Sequence, residues 1–147
     1  MNPAALLDVN VLVALFDPDH IHHEPAHRWF SRQRSRGWAT CAMTEIGLIR
    51  VLSNPAYSIA AERPAAIVTR LAQMRTSGDH LFWAEAPSPC DPAAFNLGAL
   101  SGHRQLTDVV LLALAVHHQG RLATFDRAIP LAAVRDAQPE HLFLIPA

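Results

Sequence analysis

The sequence predicts an α/β fold: a parallel or mostly parallel sheet with helices packed on both faces. Short apolar runs suited to buried strands alternate along the chain with longer segments of helical periodicity. That alternation is the mark of a parallel sheet, because each crossover between parallel strands needs a helix-length connection. The chain has 147 residues, half of them hydrophobic, enough for one compact core and too few for two ordinary domains. A single domain over residues 1–147 is therefore expected.

The elements follow in order. Residues 4–7, "AALL", suit a buried strand ending at Asp8, and the apolar "VLVALF" after it suits a short helix. "DPDHIHHEP" is a loop, and Pro25 fits the first turn of a helix that runs to Arg36 and is closed by Gly37. "WATC" is a second strand, and residues 44–54 form a helix ended ahead of Pro55. An amphipathic helix is predicted over residues 64–77, stopped by Gly78. "HLFWA" is a third strand, residues 92–100 a short helix, and residues 107–119 a strongly apolar helix. "RLATF" is a fourth strand before Asp126, and "HLFLI" supplies a fifth. There is no internal repeat, linker or low-complexity tract.

Composition excludes several classes. A formal net charge of −1 gives neither a broad basic field for nucleic acid nor an acidic, solvating tail. All 12 basic residues are Arg, so any chemistry that needs a lysine is excluded; with the many Ala and Pro, this points to a GC-rich, bacterial coding genome. Cys41 and Cys90 stand far apart in no C-x-x-C pair, and read as two reduced thiols rather than a zinc site or disulfide framework. The N-terminal apolar run lacks a basic region and is broken at Asp8 and Asn10, so it is not a signal peptide, and no stretch is long enough to span a membrane. A cytoplasmic location is the expectation.

Four acids stand at strand ends or helix starts: Asp8 after the first strand, Glu45 and Asp108 opening helices, Asp126 after the fourth strand. In an open α/β sheet these positions converge on the edge where ligands bind. Glu45 is in line with Ile49 and Leu52, and Asp108 with Leu111, Leu112 and Ala115, so both should face inward. Helix capping and dipole complementation, about 0.3–2 kcal/mol each, are an ordinary reason for an acid at such a place. Capping does not account for two acids heading apolar stripes in a chain of few charges. Carboxylates crowded at one point need a cation, and an all-oxygen site suits Mg²⁺ or Mn²⁺ rather than zinc.

The segments "LLDVNVLVALFDPDHIHH", "MTEIGLIRVLSNP" and "LTDVVLLALAVHHQGRLATFDRAI" together resemble the PIN-domain family, and within it the VapC toxins of bacterial toxin–antitoxin pairs. The likeness runs in order from Asp8 to about Ile129. It implies a PIN-like three-layer α/β/α sandwich with a four- or five-stranded sheet. It also implies a metal-dependent endoribonuclease with Asp8, Glu45, Asp108 and Asp126 as catalytic and metal-binding acids, supported by Asn10, Thr44, Arg50, Thr107 and Thr124. The implied cofactor is Mg²⁺, with Mn²⁺ able to substitute. The implied chemistry is attack of an activated water on an RNA phosphodiester, leaving a 5′-phosphate and a 3′-hydroxyl. The implied partners are RNA, a cognate VapB-like antitoxin whose C-terminal segment crosses the active-site groove, and a second copy of the chain. "VLVALF" and "IGLIRVL" offer apolar surface for the antitoxin groove and the homodimer contact.

Positive charge for RNA is sought in "HRWFSRQRSRG", where Arg28, Arg32 and Arg36 recur at i, i+4, i+8; a merely solvated helix face is the other reading. His20, His22, His23 and His27 suggest either paired-imidazole chemistry or a polar loop entering a helix, and the second is favoured because no helical His pair has an acid partner. Asn10, where a second Asp is wanted, and the missing Lys speak against a haloacid-dehalogenase-type phosphatase. A non-catalytic PIN-like binding module, with the acids as structural caps, and a housekeeping RNA-processing nuclease are the alternatives to a toxin.

Overall fold

The computed structural model describes residues 3–84 and 86–147. Strand β1 (Ala5–Leu7) is followed by α1 (Val9–Phe16) and α2 (His23–Gln33), then β2 (Trp38–Thr40), α3 (Ala42–Leu52), α4 (Pro64–Met74) and β3 (His80–Phe82). After a stretch of turns come α5 (Leu106–His117), β4 (Arg121–Thr124) and β5 (Leu142–Leu144). All the strands are parallel, in the order β3-β2-β1-β4-β5.

Alternation along β1 divides the interior in two. Ala5 and Leu7 face a core built with α1 to α4, including Leu12, Phe30, Leu48 and Ile67. Leu6 faces the opposite core, built with Leu111, Leu112 and Leu114 of α5. The result is the expected helix, sheet, helix sandwich. Among the described residues no helix is long and apolar enough to cross a membrane.

The chain winds outward from β1 through β2 to β3, then returns across the sheet through α5 to β4 on the other side of β1. The direction of winding reverses between β1 and β4. A crevice opens beyond the carboxyl ends of strands at such a switch point.

Two close approaches fix this arrangement. Gly37 holds φ at +104°, where side chains are strained, and turns the end of α2 into β2. A Cβ on Gly120 would lie 2.6 Å from the Ala4 carbonyl oxygen, so only glycine lets β4 start alongside β1.

Two expectations need correction. Residues 92–100 form turns rather than an α-helix: the Asp91 carboxylate accepts the Ala93 N–H at 2.9 Å, only a 3₁₀ turn at Leu97–Ala99 follows, and Phe95 bridges antiparallel to Val134. Val11–Phe16 are all buried, so "VLVALF" offers a partner only the edges of Leu15 and Phe16 at one surface cavity, whereas Ile46 of α3 stays half exposed.

Candidate active site

Asp8 leaves β1 at the switch point and caps α1, its Oδ1 accepting the Val9 N–H at 2.7 Å. The capping role is thus real, but it uses one oxygen only. Oδ2 accepts the Thr124 hydroxyl, at the end of β4, at 2.7 Å. Thr124 Oγ1 also accepts the Asn10 Nδ2–H at 3.2 Å and the Asp126 N–H at 3.0 Å. Asn10 is oriented in turn by the Phe125 N–H, which donates to its Oδ1 at 3.3 Å. One buried hydroxyl therefore ties the ends of both central strands together, with its proton committed to Asp8.

Three of the four predicted acids act on one another. Asp8 is buried, and desolvation raises its pKa; the hydrogen bonds from Thr124 and Val9 oppose that rise and the charge of Asp126 adds to it. Asp108, in the first turn of α5, is pushed up to about 7 by desolvation first, then by the charges of Asp8 and Asp126 and a carboxyl–carboxyl hydrogen bond to Asp126. The other Asp126 role is a turn, its Oδ1 accepting the Ala128 N–H at 2.8 Å. Asp108 is half-buried, as its place at the head of the α5 stripe predicts.

Glu45 is arranged differently. Its Oε2 accepts the Thr40 hydroxyl at 2.6 Å and lies 3.2 Å from Arg75 at the end of α4. The Thr40 proton being spent on Glu45, the 2.8 Å contact between Thr40 Oγ1 and His80 Nε2 makes the imidazole the donor there. Burial, then the Arg75 charge, lowers the His80 pKa to about 4, so the ring is neutral and carries its proton on Nε2. Thr40, Arg75 and His80 are site residues that sequence reasoning missed. One signal was present: "WAT" and "LAT" both end a strand on threonine, and each threonine holds an acid.

The predicted supporting residues divide. Asn10 and Thr124 hold the Asp8 end of the site. Thr44 is buried and bonds the Cys41 backbone, accepting its N–H at 3.0 Å, so it closes the start of α3 and reaches no acid. Arg50 and Thr107 are exposed on α3 and α5. His23 Nδ1 and His27 Nε2 meet the Ala14 and Leu15 carbonyl oxygens at 2.7 and 3.0 Å, satisfying the otherwise orphaned end of α1. His22 stacks on Phe125 with ring centroids 4.5 Å apart. Arg28, Arg32 and Arg36 are exposed, and the last two sit where Gln33 bonds the Pro3 and Gly37 carbonyls, at the amino edge of the sheet, away from the acids.

The donor set suits a hard divalent cation: carboxylate oxygens, mutually repelling, with no cationic side chain paired to Asp8, Asp108 or Asp126 among the described residues. Burial and the neighbouring charges of Asp8 and Asp126 favour the protonated Asp108 carboxyl, which eases the crowding. Among the described residues no three His, Cys, Asp or Glu side chains stand ready-made around one point, so binding requires side-chain rotation.

Residues 5–135 match the PIN domain family. Three similar proteins come from Mycobacterium tuberculosis. The chain is 46% identical to Ribonuclease VapC44 over 138 residues, covering 94% of this chain and 96% of the relative. It is 44% identical to Ribonuclease VapC39 over 125 residues, 85% and 90% of the two. Identity to Ribonuclease VapC38 is 41% over 142 residues, 96% and 99%.

Proposed function

Since the chain belongs to the PIN domain family over most of its length, we propose that it is a single-domain VapC-type endoribonuclease toxin, dependent on Mg²⁺ and restrained by a VapB-like antitoxin. The observation that carries this reading is the coupling of Asp8, Asp108 and Asp126 at the switch point. Near-full-length likeness to proteins named ribonucleases supports RNA as the substrate. Asp8, Asp108 and Asp126 would hold the cation, with Glu45 completing the set when it leaves Arg75. A divalent cation there supplies charge neutralisation at the scissile phosphate and acidifies an attacking water.

The chain's own groups do the positioning. Thr124 fixes the Asp8 carboxylate, and Asn10 fixes Thr124. Thr40 and Arg75 hold Glu45 at the rim. Asp108 carries a proton near neutral pH, and a cation held beside it would favour its ionised form.

A cavity of about 530 Å³ between α2 and α4, lined by Leu15, Phe16, Phe30, Met74, Arg34 and Arg70, is a suitable seat for an antitoxin segment. Exposed Ile46 supports a contact between two copies.

The test is incubation of the purified protein with total cellular RNA, with and without EDTA, followed by end analysis. Cleavage lost in EDTA with 5′-phosphate ends is expected. A 2′,3′-cyclic phosphate would mean attack by the RNA's own 2′-hydroxyl, and would overturn the metal-water mechanism.

A further inference from the structure

A second cluster of charge lies at the opposite edge of the sheet. A cavity of about 410 Å³ is lined by Trp29, Arg32, Gln33, Arg36, Arg121 and Phe143. Arg121, the first residue of β4, rests its guanidinium on Phe143, 4.2 Å from the ring centroid. It donates from Nη2 to Gln33 Oε1 at 2.9 Å. The Gln33 amide cannot turn away, because its Nε2 donates to the Gly37 oxygen at 2.8 Å and the Pro3 oxygen at 3.3 Å. The Arg121 guanidinium is thereby held in one place.

Among the described residues no carboxylate is paired with this charge. The ion pairs among the described residues are Arg70 with Glu62 and Arg75 with Glu45, and neither involves this cavity. The Nε–H of Arg121 is buried and has no acceptor among the described residues. Native proteins rarely leave such a donor unpaired. Burial, and then the charge of Arg36, lowers the Arg121 pKa, so the guanidiniums repel across the cavity. A guanidinium fixed by Gln33 and Phe143, with two further arginines lining the cavity and no acid there among the described residues, is a receptor for a tetrahedral oxyanion, whose oxygens match the guanidinium fork.

We infer that Arg32, Arg36 and Arg121 form a phosphate-binding pocket that grips a phosphodiester of single-stranded RNA away from the cleavage site. RNA as the occupant rests on the ribonuclease reading above. The pocket and the acids are separated along β1 and β4: the Ala4 oxygen accepts the Arg121 N–H at 3.0 Å, and Asp8 lies four residues further on. At the rise of a strand that is about 13 Å. A strand held by both must therefore extend past the scissile bond along the α2 side.

The test uses a short, labelled, single-stranded oligoribonucleotide in EDTA, with binding followed by anisotropy across salt concentrations. Arg32→Gln and Arg36→Gln alter exposed side chains, so the double variant should melt like wild type. It should bind about tenfold more weakly at low salt, with the salt slope flattened by about 0.7 per arginine removed. In wild type, the Arg121 Nε–H resonance should move on addition of the oligonucleotide or of inorganic phosphate. Unchanged affinity and slope in the double variant would overturn the pocket, and so would a resonance that responds to polyglutamate or inorganic phosphate but not to RNA. Cleavage by wild type with Mg²⁺ is scored separately. Cleavage together with unchanged binding by the double variant overturns the grip alone, whereas binding through the arginines without cleavage under any divalent ion overturns the ribonuclease reading and leaves the grip standing.

Discussion

Replacing Asp108 by Asn should stabilise the cation-free protein above neutral pH. The unfolded chain releases the Asp108 proton near 3.8 and the folded protein near 7, because the carboxyl is desolvated and faces Asp8 and Asp126. The folded state thus binds that proton more tightly, so stability declines as pH rises between those two values and is level above. Undiluted, the difference corresponds to about 4 kcal/mol. Asp108 is only half-buried, and water and salt reduce this to about 1–2 kcal/mol. Asn also forfeits the helix-dipole interaction of an acid in the first turn of α5, about 0.3–1 kcal/mol. The net gain is about 1 kcal/mol, or a rise of roughly 2–4 °C in melting temperature. The assay is thermal unfolding in EDTA at about pH 8 and again well below the unfolded-state value of 3.8, where the gain should vanish because both states are protonated. Adding Mn²⁺ at the higher pH should reverse the order, raising wild type by about 2.7 kcal/mol at a hundredfold excess over Kd. An Asp108→Asn variant that melts several degrees below wild type in EDTA would refute the reasoning, since it would show the carboxylate acting as a helix-stabilising group.

Thr124→Val should cost about 1–3 kcal/mol by stripping Asp8 of its donor and leaving Asn10 and the Asp126 N–H without an acceptor, and should weaken Mn²⁺ binding 10–100-fold by calorimetry, with Thr124→Ser restoring both. Gly120→Ala should lose about 3 kcal/mol or more in denaturant unfolding, because its Cβ would meet the Ala4 oxygen at 2.6 Å; Gly102→Ala, with nothing within 4 Å, should change stability by no more than about 0.5 kcal/mol. His23→Ala and His27→Ala should each cost about 0.5–1.5 kcal/mol by freeing the Ala14 and Leu15 carbonyls, while Mg²⁺-dependent RNA cleavage persists.

The sheet was legible in the sequence because its strands are short apolar runs set between helices, and because Asp8 and Asp126 each follow directly on such a run. Residues 92–100 misled because Pro92 and the apolar residues after it look like a helix start, whereas the deciding interactions are the Asp91 turn and the pairing of Phe95 with Val134, 39 residues on. Period alone placed Asp108 well. It placed Glu45 less well: the buried line of α3 is Thr44, Leu48 and Leu52, which rotates Glu45 toward the rim and Arg75. Long-range partners of this kind leave little trace in one sequence. Arg75 is 30 residues from Glu45, and Arg121 is 88 from Gln33.

The contrast between Glu45 and the aspartates carries a physical consequence. Among the described residues Asp8, Asp108 and Asp126 have hydrogen-bond donors but no cationic side chain to offset their crowding, so they would gain most from a cation. Glu45 already has a guanidinium at 3.2 Å and a hydroxyl at 2.6 Å, with Arg75 also resting over Phe82. Its ion pair is partly exposed on the Arg75 side and is worth at most about 1 kcal/mol, with a similar amount for the Thr40 bond. Releasing Glu45 is therefore cheap beside the relief of three crowded acids. On the metal-dependent reading proposed above, the aspartates at the switch point would be the primary holders of a cation, and Glu45, beside Arg75 at the rim, would be the secondary one.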